Sequence, residues 1–83
     1  MPELSGWSGR KVISVLCKMG FILARTKGSH SVMRKDNTVC VVPLHDELAV
    51  GTLRGILRQA GISPAEFLFQ RITWNLTLTV YIC

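Results

Sequence analysis

Acidic residues are scarce in this sequence of 83 residues, which has five Asp and Glu against ten Lys and Arg and a net charge of +5. The carboxylates are too scattered to form a Mg²⁺ site, since they stand at Glu3, Asp36, Asp46, Glu47 and Glu66. The two histidines and three cysteines have no zinc-ligand spacing, and no phosphate-binding loop or dinucleotide fingerprint is present. The sequence therefore predicts no metal and no cofactor, and its basic charge favours nucleic acid or another polyanionic partner.

Long apolar runs and a secretory signal are also missing. No stretch approaches the roughly 20 apolar residues that a membrane span needs, and the first seven residues lack a basic segment followed by an apolar one. Cys17, Cys40 and Cys83 form neither a CxxC pair nor an even disulfide set. We therefore expect a cytoplasmic protein without membrane association. Its hydrophobic content of 48% is sufficient for one packed domain.

Three helices are predicted by apolar spacing and by end signals. The first covers Gly9–Met19, preceded by the capping residue Ser8 and ended by Gly20. The second covers Gly51–Ala60, and a short third covers Pro64–Gln70 after a capping box.

Three strands are predicted between the first two helices. They cover Phe21–Lys27, His30–Lys35 and Thr38–Pro43, separated by two pairs of turn residues. Gly28-Ser29 suits a type II′ turn, and Asp36-Asn37 suits a second tight hairpin. The result is an antiparallel meander with helices on one face, a two-layer α+β fold.

The two turns predict the register of the sheet and sort the side chains by face. The expected partners are Lys27 with His30, Arg25 with Val32, Leu23 with Arg34, Lys35 with Thr38, Met33 with Cys40, and Ser31 with Val42. The face expected to lie under the helices carries Ile22, Ala24, Met33, Cys40 and Val42. The open face carries Arg25, Lys27, His30 and Arg34, with Val32, Val39 and Val41 among them. This register gathers the cations around the histidine.

The last segment has a different pattern. From Thr73 onward apolar and polar residues alternate, which predicts an additional strand. An unpaired apolar strand favours aggregation, so we expect it to join the sheet edge or to pair with another chain in a homo-oligomer. The sequence thus divides into a domain at residues 1–70 and an atypical extension at residues 71–83.

Several motifs in one order resemble the HicA and YcfA-like toxin family. They are Trp7 to Ile13, Gly20-Phe21 with Arg25 to His30, Val42 to His45, and Gly51 to Gly61, and the likeness extends over residues 4–68. The resemblance implies a double-stranded-RNA-binding-domain-like fold in the order α-β-β-β-α. It also implies a type II toxin-antitoxin system, in which a metal-independent endoribonuclease acting on mRNA is restrained by a HicB-type antitoxin. The functional histidine of the Gly-Ser-His motif corresponds to His30.

The chemistry of RNA cleavage fits these residues. The 2′-hydroxyl of RNA is a nucleophile beside its own phosphate, so the protein need only move protons and stabilise charge. Imidazole can do the first near neutral pH. We expect proton transfer from His30, phosphate binding by Arg25, Lys27 and Arg34, and a hydrogen bond from Ser29.

Less specific interpretations stay open beside this hypothesis. His30 could be a surface histidine without a task, in a domain that binds RNA without cutting it or in an inactive relative of the toxins. His45, beside Asp46, could supply a second proton transfer or be only a solvated loop residue.

Overall fold

The helices and strands follow the expected order. The computed structural model describes residues 4–74, with side-chain surroundings for residues 4–70. The elements are α1 (Gly9–Lys18), β1 (Ile22–Lys27), β2 (His30–Lys35), β3 (Thr38–Pro43), α2 (Val50–Ala60) and α3 (Pro64–Trp74). The strands form a three-stranded antiparallel sheet in the order β1-β2-β3. The predicted α+β fold with the α-β-β-β-α order is therefore confirmed.

Helix α1 begins and ends through the predicted signals. The Ser8 hydroxyl accepts a hydrogen bond from the Lys11 N–H at 3.2 Å, which satisfies one of the free N–H groups of the first turn. At the other end Gly20 has φ 101°, and the Phe21 N–H donates to the Leu16 carbonyl at 3.0 Å. This second bond and the left-handed glycine form a Schellman motif, which turns the chain directly into β1.

The second hairpin has the predicted register and the first has it only in part. Across β2 and β3 the expected partners are all present, and across β1 and β2 the pairs Lys27 with His30 and Arg25 with Val32 are present. Beyond them a bulge between Leu23 and Arg25 shifts the register by one residue. The predicted pairing of Leu23 with Arg34 is wrong, because Arg34 faces Ile22 and Leu23 faces Met33.

The bulge also moves Ile22 to the other face of the sheet. We expected this side chain under the helices, but it shares the open face with Arg34 and is 62% exposed. Ala24, also expected under the helices, falls at the bulge and is exposed. The predicted burial of Met33, Cys40 and Val42 is confirmed.

The core lies between the sheet and the helices. Its fully buried members include Leu16 of α1, Met33 of β2, Val42 of β3 and Leu53 of α2. Outside the sheet, the rings of Trp7 and Phe67 meet with their centroids 4.6 Å apart. The segment before α1 therefore packs against helix α3, and this contact completes the core outside the sheet.

Helix α3 is longer than predicted. It runs to Trp74, so Thr73 and Trp74, expected to begin a strand, are helical. The rest of the predicted strand, residues 75–83, lies outside the described residues, and the division of the chain at residue 70 stays a prediction. No helix in the described part of the chain is long and apolar enough to cross a membrane.

Candidate functional site

The Gly28-Ser29 turn positions His30 at the first residue of β2. Gly28 has φ 59°, a conformation that costs glycine little and that a type II′ turn requires at this position. The Ser29 carbonyl accepts a hydrogen bond of 2.6 Å from the Leu44 N–H, which ties the turn to the end of β3. His30 thus lies between Lys27 on β1 and Pro43 on β3, its two Cα partners.

A hydroxyl pair on the opposite face, formed by the buried Ser31 and the exposed Thr26, supports this turn. Thr26 and Ser31 are Cα partners, and their hydroxyl oxygens lie 3.3 Å apart in a hydrogen bond. Ser31 is almost fully buried, so its side chain points away from solvent while that of His30, the next residue back, is exposed. The strand alternation therefore fixes His30 on the open face.

The open face consists of three cross-strand rows. The first is Lys27, His30 and Pro43, the second Arg25, Val32 and Val41, and the third Ile22, Arg34 and Val39. All four predicted site residues of the strands lie on this face and are exposed. Ser29 is exposed in the turn next to the first row.

The three basic side chains of the open face are not equally close to His30. Lys27 is its direct partner and Arg25 lies one row away, whereas Arg34 stands four residues along β2, about 13 Å at the usual rise of a strand. The Arg34 Nε donates to the Asp36 carbonyl at 3.2 Å, which draws this side chain toward the far hairpin. The structure therefore brings Lys27 and Arg25 to the histidine and leaves Arg34 at the distant end.

This geometry is accompanied by a sequence match. The family model of the HicA toxin of bacterial toxin-antitoxin systems matches residues 9–62, which is more than half of the chain and contains α1, the whole sheet and α2. The chain belongs to the HicA toxin family. No curated protein matches it. Membership implies a toxin of a toxin-antitoxin system and hence an antitoxin partner.

Two further cations of this HicA-family chain lie near the site and were not predicted as site residues. The Gly9 N–H donates to the His45 carbonyl at 2.9 Å, so the first turn of α1 abuts the loop that follows β3. Arg10 and Lys11 are in that turn and are exposed. Their only signal in the sequence was a place in the motif from Trp7 to Ile13, because the contact of α1 with the loop is tertiary.

The free thiol of Cys40, a core residue, lies apart from the site. Cys40 lies in the middle of β3 on the helix-facing side, and burial raises the pKa of its thiol from 9.0 to about 11. A thiol with that pKa is protonated at neutral pH and unreactive. Within residues 4–74, no group of three or more His, Cys, Asp and Glu is arranged to hold a metal ion. In the three rows of the open face, the one imidazole is that of His30.

Proposed function

We propose that this HicA-family chain is a metal-independent endoribonuclease that cleaves mRNA through His30. The observation that carries the proposal is the exposed imidazole at the start of β2, with Lys27 as its cross-strand partner on a face that contains cations and no carboxylate among its three rows. A cytoplasmic site of action accords with an mRNA substrate.

The proposed reaction uses a nucleophile that RNA itself supplies. The 2′-hydroxyl loses its proton and its oxygen bonds to the adjacent phosphorus, while the bond from phosphorus to the 5′-oxygen breaks and that oxygen gains a proton. The products are a 2′,3′-cyclic phosphate and a 5′-hydroxyl. His30 performs proton transfer in this step, and a positioned acid or base contributes roughly 10² to 10⁴ in rate. No metal is needed to generate the nucleophile.

The cations bind phosphate and stabilise the negative charge that develops on it. Lys27 lies next to His30 and serves the reacting phosphate. Arg25 lies two residues before Lys27 on β1, about 7 Å from it, and binds a neighbouring phosphate. Ser29 donates a hydrogen bond from the turn, and Arg34 extends the basic surface at the far end of the face.

Restraint by a HicB-type antitoxin fits the same surface. Ile22, Val39 and Val41 are exposed aliphatic side chains between and beside the cations. A protein partner gains from burying them, whereas aliphatic side chains are poor stacking platforms for bases. An antitoxin seated there covers His30 and blocks RNA.

The test is induced expression of the wild type and of His30→Ala, followed by cleavage assays on purified protein in EDTA. We expect growth arrest and EDTA-resistant cleavage in the wild type and neither in the variant. Asn37→Ala, an exposed position in the far hairpin, is the control and should behave as wild type. Wild-type protein that binds RNA without cutting it would instead identify a binding domain or an inactive relative. Cleavage by His30→Ala at the native rate would overturn the role of His30.

A further inference from the structure

We propose that His45 is a second catalytic residue, which shares the two proton transfers with His30. The inference rests on the proposed function. RNA cleavage needs one group to accept the 2′-hydroxyl proton and one to donate a proton to the leaving 5′-oxygen, and efficient catalysis assigns these roles to two groups. His30 alone leaves one role vacant, and His45 is a second imidazole that the backbone contacts bring to the same end of the sheet.

Two contacts and the adjacency of His45 to Leu44 in the chain determine this proximity. His30 is the Cα partner of Pro43, the Leu44 N–H donates to the Ser29 carbonyl at 2.6 Å, and His45 follows immediately. Paired Cα atoms are about 5 Å apart in an antiparallel sheet, and two further residues span at most about 7 Å. The Cα atoms of His30 and His45 are thus separated by at most about 12 Å. Both side chains are exposed, and this separation is short enough for the two imidazoles to reach one phosphodiester.

The loop that carries His45 is anchored on both sides. At the start of the loop, the His45 carbonyl accepts a hydrogen bond from the Gly9 N–H at 2.9 Å. At this point α1 approaches the backbone too closely to admit a Cβ on Gly9. After the loop, the Leu48 N–H donates to the Trp7 carbonyl at 2.7 Å, and the Leu48 side chain is buried. The exposed segment from His45 to Glu47 therefore has a fixed backbone at both ends, and a catalytic group requires such positioning.

The charged groups around the pair come from β1, from α1 and from the loop after β3. Lys27 lies on β1 beside His30, Arg10 lies in the first turn of α1, and Asp46 and Glu47 follow His45 in its loop. A phosphate between the two histidines would thus have cations from the sheet and from α1 beside it. The carboxylates belong to the His45 side.

The first experiment is the pH profile of kcat/KM for the wild type, His30→Ala, His45→Ala and Asn37→Ala. We expect a bell-shaped profile in the wild type and in Asn37→Ala, the control from the exposed hairpin at the far end of the sheet. Each histidine variant should be slower by roughly 10² or more and should lose one limb of the bell. Thermal unfolding of His45→Ala should match the wild type because the removed side chain is exposed.

A second substrate separates catalysis from structure. In RNA with sulfur in place of the bridging 5′-oxygen, the leaving thiolate needs no proton, so the variant that lacks the general acid should recover most of its rate. We expect one histidine variant, and not both, to recover. Full activity and an intact bell in His45→Ala, with His30→Ala inactive, would overturn this inference and leave the proposed function standing. A wild type that does not cut RNA would remove both.

Discussion

Gly9 lies where α1 meets the end of β3, at the first residue of its helix. Its N–H donates a hydrogen bond to the His45 carbonyl, and a Cβ at this position would clash with the carbonyl oxygen of Pro43. The position of the loop after β3 thus depends on the lack of a side chain here. A larger residue must separate the helix from the loop.

We expect Gly9→Ala to lower the free energy of unfolding by roughly 1–3 kcal/mol, as for other overpacked contacts, and to slow RNA cleavage by moving His45. Urea denaturation and the cleavage rate measure the two effects. Gly55→Ala is the matched control, since a Cβ there meets nothing within 4 Å. Alanine should stabilise the interior of α2 by up to about 1 kcal/mol. Equal stability of the two variants would contradict this account of Gly9.

Cys40 makes stability depend on pH at the alkaline side. Burial raises the pKa of its thiol to about 11 from 9.0, so the unfolded chain ionises first as the pH rises. The contribution is therefore complete below pH 9 and is lost as the pH rises to about 11. The loss is on the order of 2 kcal/mol.

The measurement is urea unfolding of the wild type and Cys40→Ala between pH 8 and 11. Cys40→Ala should start less stable because it leaves a cavity, but the difference between the two proteins should shrink as the pH rises. Parallel curves would show that ionisation of the buried thiol does not contribute.

At the scale of the elements, the register of a hairpin can be counted outward from its turn until an extra residue intervenes. Lys27 and Arg25 lie shortly before the Gly28-Ser29 turn, so their positions relative to His30 were predicted correctly. No glycine or proline in the sequence indicates the bulge between Leu23 and Arg25. Beyond it, the prediction that Ile22 lies under the helices was therefore wrong. Pattern alone does not specify a bulge that tertiary packing stabilises.

The remaining site residues show the same limit. The loop after β3 has no periodicity, so nothing local predicts that His45 is tied to Gly9, 36 positions earlier in the chain. Helix α3 illustrates a related ambiguity, because the alternation from Thr73 onward is typical of a strand while the helix continues to Trp74. Short apolar segments of this kind do not distinguish the two structures.

Helix α3 lies beyond the family match at residues 9–62, yet it supplies a fully buried side chain, Phe67. The ring of Phe67 packs on Trp7, which also lies outside the match. We expect Phe67→Ala to lower the free energy of unfolding by about 3–5 kcal/mol, measured by urea denaturation. Phe69→Ala, in the same helix but at a position 60% exposed, should change it by less than about 0.5 kcal/mol. Comparable losses in the two variants would show that α3 does not close the core as described.

At the scale of the whole molecule, the uneven distribution of charge decides where RNA binds, more than the net charge does. The end that carries His30 has Arg25, Lys27 and the two cations of the first turn of α1, which outnumber Asp46 and Glu47 of the adjacent loop, whereas the opposite end has a groove lined by Lys35, Asp36 and Glu66. An RNA strand is therefore attracted to the His30 end of the open face. Because binding through phosphates releases counterions, the affinity should fall steeply with salt.

We expect Arg25→Gln and Lys27→Gln each to weaken RNA binding for all sequences and to reduce the slope of log affinity against log salt by about one. His30→Ala is the background for these measurements, because it should bind RNA without cutting it. Lys35→Gln is the matched control, since this β2 lysine points to the helix side and donates to the Met19 carbonyl at 3.0 Å. If Lys35→Gln reduced the slope as much as Lys27→Gln, the RNA would lie elsewhere on the molecule. A smaller slope for Lys27→Gln but an unchanged slope for Arg25→Gln would instead mean that, of the two residues, only Lys27 binds a phosphate.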